Sequence, residues 1–180
     1  MAEFVALLRG INVGRHRRVA MADLRSLLGD AGYADVRTHL QSGNVLLAGP
    51  RRQSRAVERS VEETLQKGLG IEIDVMVRTA SELASVLDSN PFIARGEDPA
   101  TLYVSFLKSK PAAKAASALE ATAFDDDEFE LKGRELYLRY PNGLGRSKMT
   151  SAFFERTLHV PGTVRRWPVV TKLAELAAAT

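Results

Sequence analysis

The chain contains no cysteine. Disulfides, thiolate nucleophiles and cysteine-ligated zinc or iron–sulfur centres are therefore excluded. No apolar run approaches the roughly 18 residues that span a bilayer. The opening Met1-Ala2-Glu3-Phe4-Val5 lacks a basic region followed by a long apolar segment, so no secretory leader is read there. A cytoplasmic location without a membrane partner is expected. Histidine is scarce: His16, His39 and His159 are far apart and show no local ligand spacing. No metal site is expected, and no cofactor is called for. Tyr137 and Tyr140 lack the aromatic motif context of an RNA-binding sheet.

What the chain does have is the material for a substantial core. Its 180 residues are 45% hydrophobic and 26% charged, an ordinary balance for a globular protein. Charge is segregated along it. Residues 1–70 hold 11 Lys/Arg against 7 Asp/Glu, residues 71–135 hold 7 against 13, and residues 136–180 hold 7 against 2. An acidic middle between basic ends suits local steering of an anion better than uniform coating of a nucleic acid.

Periodicity gives the elements. Glu3–Arg9 and Thr101–Leu107 are apolar on both faces, as central strands covered on both sides are. Asp23–Ala31 and the region 54–68 show helical stripes, with Val57, Val61 and Leu65 four apart. Ala34–Leu40 and Val45–Ala48 read as short strands, and Ile71, Ile73, Val75 and Val77 alternate with polar residues or Met76 as in a half-buried strand. The first order is strand–helix–strand–strand–helix–strand, which is ferredoxin-like. Thr79 and Glu82 have capping-box spacing at the start of a linking helix. From Thr101 onward the order is strand–helix–strand–strand–helix, followed by a terminal helix over Val169–Ala178. The reading is α+β: two similarly organised ferredoxin-like subdomains with antiparallel or mixed sheets. Their spans are residues 1–79 and 101–180, with a helical linker over 80–100.

Several ordered segments carry a family resemblance. Arg9-Gly10-Ile11-Asn12-Val13-Gly14, Met21-Ala22-Asp23-Leu24-Arg25 and Gln41-Ser42-Gly43-Asn44-Val45 closely resemble the bacterial family called domain of unknown function 1697. Gly145-Arg146-Ser147-Lys148, Arg166-Trp167 and Thr171-Lys172-Leu173 resemble later segments of it. This chain has Arg15 where the family often has a second glycine, and Arg166 where it often has Asn. The resemblance implies a compact α+β fold with two related ferredoxin-like parts. It implies no activity, substrate or catalytic residue.

Three polar loops are candidates for chemistry. In the first, Gly10 and Gly14 expose backbone amides, Arg9 or Arg15 supplies planar charge, and Asn12 orients a bound anion or satisfies its own turn. In the second, Gln41, Ser42 and Asn44 form a polar cluster at a hairpin or bulge. Adjacent His39 does not by itself make Ser42 a nucleophile, because neighbouring strand residues alternate faces. In the third, Gly143 and Gly145 precede Arg146, Ser147 and Lys148, a phosphate-like composition that is also good turn and cap chemistry. The leading expectation is binding of a small phosphorylated or otherwise anionic ligand through Arg9, Asn12, Arg146, Ser147 and Lys148 in a shared, positively charged cleft. The alternatives are phosphoester chemistry, with Asp23 and Asp125–Asp127 as acids or bases, and nucleic-acid binding through Arg15, Arg17, Arg18, Arg51 and Arg52. A protein interface at Trp167 is a further reading. The protein partner itself is unknown.

Overall fold

The structure is a computed structural model that describes residues 2–50 and 53–179. It divides into two compact units, one of Met1–Ser85 with Lys172–Thr180 and one of Val86–Thr171.

The first unit runs β1 (Ala2–Leu8), α1 (Met21–Asp30), β2 (Ala34–His39), β3 (Asn44–Gly49), α2 (Ser54–Leu69) and β4 (Val75–Thr79), then enters α3 (Ala80–Asp88). Its four strands form an antiparallel sheet in the order β2-β3-β1-β4. One face of β1 presents Phe4, Ala6 and Leu8 to a core completed by Leu24 and Leu28 of α1 and by Val57, Val61 and Leu65 of α2. Val5 and Leu7, on the opposite face, are fully buried as well. The doubly apolar pattern of this strand thus has its physical counterpart: neither face meets water.

The second unit repeats this order. Past α4 (Pro91–Ala94) come β5 (Leu102–Leu107), α5 (Ala113–Glu120), β6 (Glu128–Lys132), β7 (Glu135–Arg139), α6 (Ser151–Leu158) and β8 (Gly162–Arg166), followed by α7 (Trp167–Ala178). Its antiparallel sheet has the order β6-β7-β5-β8. The two central strands even end alike. Leu8 and Arg9 donate backbone N–H bonds to Gly43 O and Asp74 O at 2.8 and 2.9 Å. Leu107 and Lys108 do so to Arg134 O and Pro161 O at the same two distances.

Two sequence expectations change. The strand read from Ile71 starts only at Val75, because β1 gives it a partner from Leu8↔Val75 onward and the chain leaves the sheet past Arg9. It is also not half-buried: Val75 to Arg78 are all buried, Arg78 being 1% exposed. The second half, read as lacking its last strand, has β8, with Val104 opposite Arg165 just as Val5 lies opposite Arg78. Both arginines occupy the same place in the repeat, and each Nη1 donates 2.9 Å to the carbonyl of the preceding residue, Val77 or Val164. Burial pushes the Arg165 pKa down to about 10.

The capping box is present as read. Glu82 N donates to Thr79 Oγ1 at 3.1 Å, and Thr79 N donates to Glu82 Oε2 at 2.7 Å. Ser54 Oγ, at the start of α2, also donates to Glu82 Oε2 at 2.7 Å. One carboxylate therefore ties two helix starts together.

Candidate functional site

Residues 9–20 connect β1 to α1, well beyond the roughly 2–6 residues usual for such a link. The loop is nevertheless held. Ile11 and Val19 are buried in the core of the first unit, and the excursion between them closes through Asn12 N to Arg17 O at 3.0 Å and a Val13–His16 bridge. Gly10, Asn12, Gly14 and Arg17 all take positive φ. Asn tolerates that region better than other non-glycine residues.

The Asn12 side chain pins the loop twice over. Its Nδ2 donates to Val19 O at 3.0 Å and to Gln41 O at 2.7 Å, while its Oδ1 accepts from Val19 N at 2.9 Å. Both amide protons are engaged, so the side chain fixes the loop rather than pointing a donor outward. This joins residues 9–20 to the β2–β3 turn, residues 40–43. Gly43 completes the junction with a φ of +79°; a Cβ there would lie 2.8 Å from Leu8 Cβ and 2.9 Å from Ile11 Cδ1. Fully buried Asn44 then donates from Nδ2 to His39 O at 2.9 Å and to Ser42 Oγ at 3.0 Å. The Ser42 oxygen thus accepts from an amide donor, which does not activate a nucleophile.

The three candidate loops accordingly separate into scaffolding and lining. Arg9 Nη1 pairs with Asp74 Oδ2 at 3.2 Å, at the edge of a cleft of about 770 Å³. Gly10, Arg17 and Lys67 line that cleft with Glu62, Glu63 and Glu72, so it is mixed in charge and not simply positive. Asn12, Gly14 and Gln41 line a second cleft of about 450 Å³, together with Arg18, Val19 and Ala20. In the second unit, Arg146, Ser147 and Lys148 line about 310 Å³ alongside Asp125, Asp126 and Asp127. There Ser147 Oγ donates to Asp127 and accepts from Met149 N, and Asn142 Nδ2 donates to Asp126 Oδ2 at 3.1 Å. Tyr140 OH donates to Met149 O at 2.8 Å, and burial, before the nearby Asp127 and Tyr103, drives the phenol pKa upward. Ser147, Asp126 and Asp127 thus anchor a turn.

A family model described as "Protein of unknown function (DUF1697)" matches residues 1–137. The chain belongs to this family. The solved structure of conserved bacterial protein SP0830 from Streptococcus pneumoniae is similar over 99% of this chain and 99% of that one, with a TM-score of 0.76 at 20% identity. At that identity the likeness speaks to the fold. No curated protein matches the chain.

Two of the segments that carry the family resemblance, residues 9–14 and 41–45, thus form one hydrogen-bonded junction at the end of β1. Arg15, Arg17 and Arg18 are exposed on this pinned loop, and their side chains make no hydrogen bond or ion pair among the described residues. Arg51 and Arg52, the other proposed nucleic-acid contacts, lie outside the described residues. Tyr137 and Trp167 are buried, with Tyr137 OH donating to Val86 O at 3.0 Å, which leaves neither ring on the surface for stacking or docking. The described residues contain no group of three or more His, Asp or Glu placed to hold a metal ion, and no helix long and apolar enough to cross a membrane.

Proposed function

We propose that this protein binds a phosphate-bearing anionic ligand at the junction of the β1–α1 loop and the β2–β3 turn. The observation that supports this most directly is the set of three arginines, Arg15, Arg17 and Arg18, whose side chains have no partner among the described residues and which ride on a loop that Asn12 holds in one shape. An arginine already committed to a carboxylate gains little from a second anion. One without a partner offers its full fork of donors. Arg18 faces the 450 Å³ cleft and Arg17 the 770 Å³ one, so the ligand is met from the loop on either side.

This assigns new roles to the expected residues. Arg9 and Asn12 position the loop, and Gln41, Ser42 and Asn44 support it from the turn. Arg146, Ser147 and Lys148 belong to a separate feature of the second unit. We further read each unit as ferredoxin-like, from the shared βαββαβ order, and the protein as cytoplasmic. Calorimetric titration with inorganic pyrophosphate tests the site. Arg18→Ala and Arg15→Ala should each weaken binding several-fold, while Arg146→Ala should not. Equal loss in all three variants would sink the assignment.

A further inference from the structure

The same junction carries two features that a small anion does not use. Val13 is 69% exposed and Leu40 is 55% exposed, on the two loops that the 2.7 Å bond from Asn12 to Gln41 O holds together. Leu40 also takes a φ of +60°, a region that strains a bulky side chain. A leucine that is both exposed and strained weakens the isolated fold twice. Aliphatic tips beside Arg15, Arg17 and Arg18 match a surface that offers phosphates next to an apolar floor.

We propose that this loop pair docks on duplex DNA, with the arginines on backbone phosphates and Val13 and Leu40 against the groove. The inference rests on the anion-binding reading and names its ligand. Aliphatic contacts in a groove are a known way to accompany phosphate contacts in DNA recognition. Single strands are instead bound chiefly by stacking on large aromatic rings, and neither loop carries a Phe, Tyr or Trp. The central strands cannot serve as a stacking sheet, since Phe4–Leu8 are buried throughout. The wide minor groove of duplex RNA displays hydroxyls and favours polar contacts over aliphatic ones.

The test is fluorescence anisotropy with the full chain and a labelled DNA duplex across a salt series. The plot of log affinity against log salt should be linear, and each of Arg15→Gln, Arg17→Gln and Arg18→Gln should reduce its slope by roughly one. Val13→Ser with Leu40→Asn should weaken binding roughly ten-fold at unchanged slope. Leu40→Asn alone should raise the melting temperature, because Asn accepts the positive φ, while still weakening DNA binding. A role in folding alone would not give that opposed pair of effects. Salt slopes insensitive to the arginines would overturn the proposal. So would equal affinity for single strands or duplex RNA, or retention on phosphatidylglycerol vesicles, dependent on Val13 and Leu40, in place of DNA. If pyrophosphate binds through Arg18 but DNA does not bind, this inference falls and the anion site stands. If neither binds, both fall.

Discussion

The Glu58 carboxylate, 2% exposed on α2, accepts a 2.9 Å hydrogen bond from Val77 N on β4. One turn along the same helix, Glu62 Oε1 accepts from Val75 N at 2.8 Å. β4 is an edge strand, and these two amides point away from β1. The i, i+4 spacing of the carboxylates matches the i, i+2 spacing of the amides, so α2 closes an edge that would otherwise invite another strand. Glu58→Ala should cost about 2–3 kcal/mol in urea unfolding, since a buried N–H loses a charged acceptor. Glu58→Gln, which keeps an acceptor oxygen, should cost clearly less.

Gly43 is restricted twice, by its positive φ and by Leu8 and Ile11 against its missing side chain. Gly43→Ala should destabilise the protein by about 2–4 kcal/mol, combining backbone strain with overpacking. Gly10→Ala meets only the first restriction, because no atom lies within 4 Å of the added carbon. Thermal unfolding of the two variants should therefore rank them in that order.

Arg95, Glu97, Arg139 and Glu128 form a closed ring of ion pairs in the second unit, with contacts of 2.8–2.9 Å. The Arg95 hydrogen bond, supplemented by Arg139, holds the Glu128 carboxyl below its ordinary value of 4.5. The folded state therefore favours the ionised form. The stabilisation is present above the unfolded pKa and is lost as pH falls through the lower folded one. Exposure of the partners limits it to under about 1 kcal/mol. Glu128→Gln should start slightly less stable at neutral pH and show a shallower fall in Tm below pH ~4.5.

At the alkaline end the sign reverses. Burial, as the largest cause for both, raises the phenol pKa of Tyr137 and Tyr140 above the usual 10.0. The folded state favours the neutral phenol, so its contribution is full below the unfolded pKa and declines as pH rises beyond it. Tyr140→Phe should lose about 1 kcal/mol at neutral pH with the bond to Met149 O. It should also show a flatter loss of Tm above pH ~10 than the parent protein.

The features legible in the sequence were those whose cause is local. The two-sided apolarity of residues 4–8 announced a covered central strand, and Thr79 with Glu82 announced a helix start three residues apart. β8 escaped because Gly162-Thr163-Val164-Arg165-Arg166 has one large apolar residue between two turn signals, and a buried Arg165 looks like surface in a string of letters. Ile71 and Ile73 had strand alternation but no neighbouring strand to pair with, which only the end of β1 determines. At the site, the polar residue types were visible but not their division of labour. Asn12 reaches Gln41 across 29 positions of chain, and Arg9 reaches Asp74 across 65; no spacing rule announces either contact.

The repeat supplies its own control. Both central strands finish with the same pair of backbone bonds, yet the second unit passes from β5 to α5 through residues 108–112 alone, while the first spends residues 9–20 on the equivalent passage. Closing the fold therefore does not require the longer path. The longer passage includes exposed Val13 and three arginines whose side chains have no partner among the described residues, and the shorter copy has no counterpart to them. Within one chain, the second unit thus shows the same strand order built without the segment on which the proposed site rests.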